Sequence, residues 1–172
     1  MSAEWLPSLV ATSKAMGGIP STLGSIHDAV DWIPVDVAAQ VMVELSVAPR
    51  DRESPANVAC FNIVNPKTTS WRELAGSVQE YYKFQGKSLE LIPLDQWVDR
   101  LERVDVTKEK NVAQRYPALK LGDFFRSMSD HGSGSMSYGF GTELAAKRSP
   151  TMSQLAAVDG RLMKKWLADW GF

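Results

Sequence analysis

Tyr116 and Lys120 are the residues whose types and spacing come nearest to a proton-donor pair. A Tyr and a Lys four positions apart share one face of a helix, where the ammonium group lowers the pKa of the phenol and prepares it to donate a proton. Pro117 lies between them and disfavours the helix that would align the two side chains. We therefore expect Tyr116 to end a helix and Lys120 to be solvated.

The two histidines do not indicate a metal site. His27 and His131 are more than a hundred residues apart in loop-like sequence, and neither has a suitable partner at metal-ligand spacing. Either imidazole could act as a base, but the sequence has no GxSxG nucleophile elbow. The sequence therefore predicts neither a metal centre nor a serine hydrolase. An unrecognised small enzyme that uses a loop histidine stays open as an alternative.

A nucleotide-binding loop is also missing from the sequence. Such a loop needs a GxGxxG turn between a strand and a helix, so that backbone amides can approach the phosphates. The segment most similar to this motif is "GSGSMSYG" at residues 132–139, and no apolar strand precedes it. We interpret residues 129–141 as a flexible Gly/Ser loop. We predict no catalytic, cofactor-binding or metal-binding residue in this chain.

Cys60 and Asp36 are predicted to have structural roles and not catalytic ones. Cys60 lies in "VACFNIV", residues 58–64, which is typical of a strand buried on both faces, and a lone buried thiol suits a reducing compartment. Asp36 is placed to cap a helix. All six Trp residues lie on apolar stripes, so core packing is expected for each. Trp5 and Trp32 are also candidates for lining a ligand cleft.

Composition favours one globular domain over residues 1–172. Hydrophobic residues make up 44% and charged residues 23%, and a net charge of -1 without clustered Lys and Arg argues against nucleic acid as a partner. No apolar run approaches the roughly 18 residues that span a bilayer, and the N-terminal sequence lacks a secretory pattern. We therefore expect a cytoplasmic protein that does not bind a membrane.

The first half of the chain is predicted to contain two helices and two strands. A helix over Ala3–Met16 precedes a strand over Val30–Val35, and Asp36 then starts a second helix. The apolar positions of this helix are Val37, Ala38, Val41, Met42 and Leu45. The run "VACFNIVN" follows as a buried strand, whose edge would be exposed if the chain were alone.

The second half begins with the clearest helix signal. Ser70 and Glu73 form a capping box ahead of a regular apolar stripe. The stripe consists of Trp71, Leu74, Ala75, Val78 and Tyr82. "SLELIPL" then predicts a strand and "DQWVDRLERV" a helix, and two shorter helices are expected at about Lys108–Tyr116 and Leu119–Met128.

A final helix is predicted from Pro150 to Gly171. Ser149 is its expected N-cap, and Pro150 suits the first turn because its fixed backbone angle is already helical. The expected inward positions are Met152, Leu155, Val158, Leu162, Trp166 and Trp170.

Several stretches resemble, in the same order, the C-terminal part of the thioester reductase domains of fungal nonribosomal-peptide-synthetase-like enzymes, aminoadipate reductases and polyketide synthases. They are "EWLPSLVATSKAMGGIPSTLGSIHDAVDWIPVDVAAQVMVEL", "FNIVNPKTTSWRELAGSVQEYY" and "LELIPLDQWVDRLE". The WxPVD element, the Asn-Pro before Ser-Trp-Arg-Glu-Leu, and the Ile-Pro-Leu before a Trp helix carry the resemblance. It extends to the terminal "SPTMSQLAAVDGRLMKKWLADWGF".

The resemblance implies an α/β fold. It would be the C-terminal, substrate-side part of an extended short-chain dehydrogenase, mostly helical with a few short strands and lacking the N-terminal Rossmann portion. Such domains use NADPH to release a carrier-bound thioester as an aldehyde or alcohol. Their Gly-rich loop and catalytic Tyr and Lys lie in the Rossmann portion, so no cofactor is expected in this chain. By position, Trp5, Pro7, Trp32 and Pro34 are expected to line the substrate cleft.

Two functions follow from the resemblance as hypotheses. The chain could be the solitary or truncated substrate-binding part of a thioester reductase, not catalytic alone and completed by a front-half reductase polypeptide. Alternatively, it could be a non-catalytic module that binds an acyl- or peptidyl-carrier domain or a pathway intermediate. The exposed edge of "VACFNIV" would also allow self-association.

Overall fold

The structure is a computed structural model that describes residues 4–48, 59–130 and 140–171. It is mostly helical with few short strands, which is consistent with the predicted α/β class. The chain divides into two compact units. The larger unit comprises Met1–Ala29, Ser70–Ser137 and Asp159–Phe172, and the smaller unit comprises Val30–Thr69 and Tyr138–Val158.

The helices are short to medium in length. In chain order they are α1 Trp5–Met16, α2 Gly24–His27, α3 Val35–Val47, α4 Trp71–Phe84, α5 Leu94–Glu102, α6 Val112–Arg115, a 3-10 helix Pro117–Leu121, α7 Gly122–Asp130, α8 Glu143–Arg148, α9 Pro150–Gln154 and α10 Gly160–Trp170. The strands are β1 Gly18–Pro20, β2 Ala29–Val30, β3 Thr69–Ser70 and β4 Glu90–Ile92. Within the described part of the chain, no helix combines the length and apolarity needed to cross a membrane.

The core of the larger unit is built around a two-stranded sheet and two tryptophans. Strands β1 and β4 pair in parallel, with Ile19 opposite Leu91. The buried indole of Trp71 donates a hydrogen bond from Nε1 to the Pro20 carbonyl oxygen at 2.8 Å. The buried indole of Trp97 donates from Nε1 to Ser13 Oγ at 2.9 Å. Each indole therefore satisfies its polar atom while its ring fills the core.

Helix α4 confirms the prediction from the capping box. Ser70 is the N-cap, and its side chain accepts a hydrogen bond from the Glu73 backbone N–H. The buried residues are the predicted stripe, Trp71, Leu74, Ala75, Val78 and Tyr82. The strand β4 and the helix α5 are also confirmed, with Trp97, Val98 and Leu101 buried.

The prediction of one final helix is wrong, because the segment forms two helices. Helix α9 ends at Gln154, and α10 begins at Gly160 with Asp159 as its N-cap, whose Oδ1 accepts from the Leu162 backbone N–H at 2.9 Å. The break changes which positions of α10 are buried, to Met163 and Leu167. The predicted inward residues Leu162, Trp166 and Trp170 are only partly buried.

Other parts of the predicted terminal region have mixed outcomes. Ser149 is confirmed as N-cap, since its hydroxyl accepts from the Met152 backbone N–H at 3.0 Å. Of the predicted Gly/Ser loop 129–141, residues 131–139 lie outside the described residues, and the first two positions belong to α7.

The smaller unit is organised by α3, α8 and α9. Its buried cluster comprises Val41, Leu45, Ala145, Met152 and Leu155. The predicted strand over residues 30–35 is wrong beyond β2, because Pro34 precedes a helix that already begins at Val35. Asp36 is therefore in the first turn of α3 and is not its N-cap. A carboxylate there still interacts favourably with the helix dipole.

The predicted buried strand "VACFNIV" is also wrong over its described part. Residues 59–65 form no strand, and Cys60 is exposed. Phe61 and Ile63 are partly buried against the core cluster of the smaller unit, whereas Asn62 is exposed. An apolar run can form a strand only where a neighbouring strand pairs with it, and the described residues provide none here. Self-association through this segment stays a prediction.

Candidate functional site

A cavity of about 240 Å³ opens in the larger unit between α2 and α7. Its wall is formed by Leu23, Gly24, Ser25, His27, Phe124, Ser127 and Met128. The volume is just below the about 300–1,000 Å³ typical of pockets for drug-sized ligands. The cavity is therefore sized for a short-chain or single-ring group and is too small for a dinucleotide.

The α2 side of the cavity is fixed by the carboxylate of Asp28. Asp28 Oδ1 accepts from the Leu23 backbone N–H at 2.7 Å, and Oδ2 accepts from Thr22 Oγ1 at 2.8 Å. Thr22 Oγ1 in turn accepts from the Gly24 backbone N–H at 3.0 Å. These bonds close a compact turn that presents the start of α2 to the cavity.

Gly24 is required at this turn for two reasons. Its backbone φ angle is +78°, in the left-handed region that residues other than Gly rarely adopt. A Cβ at this position would also lie 2.9 Å from the Met128 carbonyl oxygen. The close approach of α2 to the end of α7 therefore depends on the absence of a side chain at residue 24.

The α7 side of the cavity is aromatic. The Phe124 ring lies 6.2 Å from the Trp5 ring and 5.3 Å from the Phe125 ring, centroid to centroid. Phe125 is buried in the core, while Phe124 is 40% exposed and faces the cavity. Arg126 holds α7 against α5 through Asp99 Oδ1 at 3.1 Å and Glu102 Oε2 at 2.5 Å. Ring contacts therefore hold Phe124 in place, and the ion pairs of Arg126 hold the helix that carries it.

The cavity offers binding groups but no evident catalytic set. Leu23, Phe124 and Met128 supply apolar surface, while two hydroxyls and the exposed imidazole of His27 supply hydrogen-bonding groups. Neither a carboxylate nor a Tyr–Lys pair is part of the described wall. Such a wall can contact and orient an uncharged organic group.

Tyr116 and Lys120 are placed as predicted, at the end of a helix and in solvent. Tyr116 ends α6, is 6% exposed and precedes the 3-10 helix that Pro117 begins. The side chain of Lys120 is exposed. Among the described residues, no group of three or more His, Cys, Asp and Glu side chains could hold a metal ion. His131 lies outside the described residues.

The four predicted cleft residues fall in different units. Trp5 and Pro7 belong to α1 in the larger unit, and the Trp5 ring contacts the ring of Phe124, which lines the cavity. Trp32 and Pro34 are partly buried in the smaller unit, just before α3. That all four line one cleft stays a prediction.

Sequence reasoning missed the residues that form the cavity wall. Leu23 and Phe124 are about a hundred residues apart, and neither belongs to a motif with known chemistry. The pair Phe124 and Phe125 was the available signal, since adjacent positions on a short helix cannot both face the same core. One of the two rings had to face elsewhere.

Comparison with known proteins identifies the relatives of this sequence. No family model matches the chain. The chain is 34% identical to a carboxylic acid reductase of Neurospora crassa over 98% of its own length. It is 29% identical to a non-reducing polyketide synthase of Stachybotrys chartarum and 26% identical to an adenylate-forming reductase of Serpula lacrymans, in each case over 97% of its length.

The aligned region is a small part of each relative. The chain spans 16% of the carboxylic acid reductase, 6% of the polyketide synthase and 16% of the adenylate-forming reductase. The alignments run through nearly all of the chain. The chain therefore belongs with the C-terminal portion of the reductase domains of fungal carboxylic acid reductases, adenylate-forming reductases and polyketide synthases.

Proposed function

We propose that the chain is the substrate-side portion of an NAD(P)H-dependent thioester reductase domain with an extended short-chain dehydrogenase fold. The observation that carries the proposal is the alignment with a carboxylic acid reductase at 34% identity over 98% of the chain. On this proposal the chain binds the acyl part of a thioester, but it does not reduce the thioester by itself.

The cavity between α2 and α7 is our candidate for the acyl site. A wall of Leu23, Phe124 and Met128 suits an apolar or single-ring acyl group, and the hydroxyl of Ser25 can donate a hydrogen bond to one of its oxygen atoms. Burial in such a wall would hold the acyl carbon away from water before hydride transfer.

NADPH would be held outside these 172 residues. The sequence contains no GxGxxG turn, and its one Tyr–Lys spacing is interrupted by Pro117. The hydride donor and the proton donor would therefore come from a nucleotide-binding portion, either in the same polypeptide or in a separate one.

A binding and turnover experiment tests whether this chain binds the acyl group while another portion binds NADPH. NADPH binding is measured by calorimetry for the chain alone and for the chain mixed with the nucleotide-binding portion of the Neurospora crassa reductase domain. NADPH consumption is then followed with an acyl thioester. We expect acyl-dependent consumption only in the mixture. Turnover by the chain alone would contradict the proposal, and no turnover in either sample would favour the carrier-binding module instead.

A cavity-filling variant tests the acyl site in the same mixture. Ser127→Trp places a large ring in the cavity, and we expect KM for the acyl thioester to rise by about tenfold or more, since about 1.4 kcal/mol of binding corresponds to tenfold. NADPH affinity should not change. Asp123→Trp, an exposed position of α7 outside the cavity wall, is the matched control. Equal KM values for the two variants would show that the acyl group binds elsewhere.

The carrier-binding alternative is less well supported by this cavity. An anionic carrier protein or phosphopantetheine arm would be attracted by basic side chains at the rim. The described wall contains His27 but neither Lys nor Arg. Binding of a carrier domain to the chain, with no reductase activity in the mixture, would restore this alternative.

A further inference from the structure

The wall of the cavity between α2 and α7 changes in character from its inner end to its rim. The apolar residues Leu23 and Met128 are 0% and 7% exposed, so they form the inner end. The polar residues Ser25, His27 and Ser127 are exposed, so they lie at the rim. The cavity is therefore apolar where it is deep and polar where it opens.

This division orients an acyl group in the cavity. The rim suits the carbonyl oxygen, because the hydroxyl of Ser25 and the imidazole of His27 can form hydrogen bonds with it. The inner end suits hydrocarbon, which gains free energy when it leaves water. On the proposed function the carbonyl carbon must also be reached by a hydride donor that is held outside the chain. The acyl group is therefore expected to enter the cavity with its tail first.

The two residues at the inner end differ in how freely they can move. Leu23 belongs to a closed turn, in which its backbone N–H donates to Asp28 Oδ1 at 2.7 Å. The backbones of Gly24 and Met128 also approach closely, since a Cβ on Gly24 would lie 2.9 Å from the Met128 carbonyl oxygen. The Met128 side chain, by contrast, is unbranched and can adapt its shape. The depth of the cavity therefore depends mainly on the side chain at position 128.

We propose that Met128 sets the length of the acyl tail that the chain accepts. The inference rests on the proposed function, and it adds the class of acyl group that is selected. The cavity of about 240 Å³ has the volume of about eight water molecules in the liquid, so it holds a tail of similarly few non-hydrogen atoms. A polar atom at the far end of the tail would lie unpaired beside Leu23 and Met128, which is unfavourable. The selected class is therefore a short acyl group with an apolar end.

A series of straight-chain acyl thioesters of one small thiol tests the proposal. The complete 172-residue chain is mixed with the nucleotide-binding portion of the Neurospora crassa reductase domain, and NADPH consumption gives kcat/KM for each tail length. For the wild type, we expect kcat/KM to rise about fourfold with each added methylene group until the tail reaches Met128, and then to fall. Met128→Ala should move the maximum to tails that are longer by about two or three methylene groups, because it removes the outer atoms of the side chain.

Met163→Ala is the matched control, since it makes the same chemical change at another buried site of the larger unit. Met163 is fully buried in α10 and is not part of the described cavity wall. Its substitution should lower the melting temperature as Met128→Ala does, but the maximum should stay at the wild-type tail length. Met128→Leu is a milder variant that nearly conserves volume, and it should move the maximum by about one methylene group.

The possible outcomes separate the inference from the proposed function. If the wild-type mixture reduces the thioesters and folded Met128→Ala keeps the wild-type maximum, the inference is wrong and the proposed function stands. The same holds if kcat/KM of the wild type shows no maximum, because the tail is then not confined. If Met128→Ala does not fold, an unchanged maximum in Met128→Leu overturns the inference. If the wild-type mixture consumes no NADPH with any thioester, the proposed function and the inference both fail.

Discussion

Trp97 of the larger unit and Asn65 of the smaller unit both join segments that are distant in sequence, but by different interactions. Trp97 is fully buried, donates a hydrogen bond to Ser13 and packs edge-on against Phe125 with ring centroids 5.1 Å apart. Asn65 is 3% exposed, and its Nδ2 donates to the carbonyl oxygens of Trp32 at 3.3 Å and Ala156 at 2.8 Å. Trp97 thus joins its segments chiefly by burying an aromatic ring, and Asn65 joins its segments by hydrogen bonds.

The outer faces of α4 and α3 extend this comparison. The buried stripe of α4 is apolar, whereas its exposed positions are mostly polar, including Arg72, Glu73 and Glu80, with Phe84 exposed at its last position. Helix α3 exposes four large apolar side chains, and Asp36 and Gln40 are exposed among them. A polar outer face is stable in water, and an apolar outer face is stabilised only when it is covered. The exposed side of α3 therefore carries more large apolar residues than that of α4.

The largest expected effect is that of Trp97→Ala on the larger unit. Removing a buried indole typically lowers the free energy of unfolding by about 3–5 kcal/mol, and Ser13 would also lose its partner. Guanidinium unfolding measures the change. Phe84→Ala, at a 90% exposed site, should remain within about 0.5 kcal/mol of wild type. A loss below about 1 kcal/mol for Trp97→Ala would mean that aromatic packing does not dominate this core.

A smaller loss is expected for Asn65→Ala in the smaller unit. The substitution leaves the Trp32 and Ala156 carbonyl oxygens without their donor and removes the acceptor for the Lys67 backbone N–H, so we expect a loss of about 1–3 kcal/mol. Hydrogen exchange should show the loss in α3 and α9 and leave the amides of α4 protected.

The control for this substitution lies in the same segment. Asn62 is exposed and donates one hydrogen bond, from Nδ2 to the Gly141 carbonyl oxygen at 3.0 Å. Asn62→Ala should therefore have a clearly smaller effect. Equal losses for the two substitutions would show that burial of the amide is not what makes Asn65 important.

Local signals in the sequence predicted the elements whose causes are local. Helix α4 begins at a capping box and has a regular apolar stripe, so its start and its buried face could both be predicted. The Ser149 cap of α9 is of the same kind. The break before α10 also had a local signal, because Asp159 followed by Gly160 is a good N-cap sequence, but the apolar pattern on either side obscured it.

Features that depend on distant residues could not be predicted. Residues 59–65 have the composition of a strand, and whether they form one depends on a pairing partner that the sequence pattern does not reveal. The cavity brings together Leu23 and Phe124, whose proximity depends on how Arg126 and Gly24 fix α7 and α2. Membership of the reductase family was predictable because it rests on the order of several local motifs.

The smallest expected effect concerns Glu44, which connects α3 to the start of α9 in the smaller unit. Its carboxylate accepts hydrogen bonds from Ser149 Oγ at 2.5 Å, from Thr151 Oγ1 at 2.6 Å and from the Thr151 backbone N–H at 3.1 Å. These bonds, that of Ser149 first, lower the pKa of Glu44 from 4.5 to about 2. The ionised carboxylate is therefore the form that the folded unit prefers.

The pH dependence of stability follows from this shift. Because the pKa is lower in the folded state, the contribution of Glu44 is fully present above pH 4.5 and is lost as the pH falls towards about 2. Glu44→Gln should reduce stability at neutral pH and flatten the acid dependence between these values, as measured by urea unfolding at a series of pH values. Glu143→Gln, at an exposed first-turn position of α8, is the control. An acid dependence as steep in Glu44→Gln as in the wild type would mean that the polar connection between α3 and α9 does not set the stability of the smaller unit, and the contrast with the aromatic core of the larger unit would then fail.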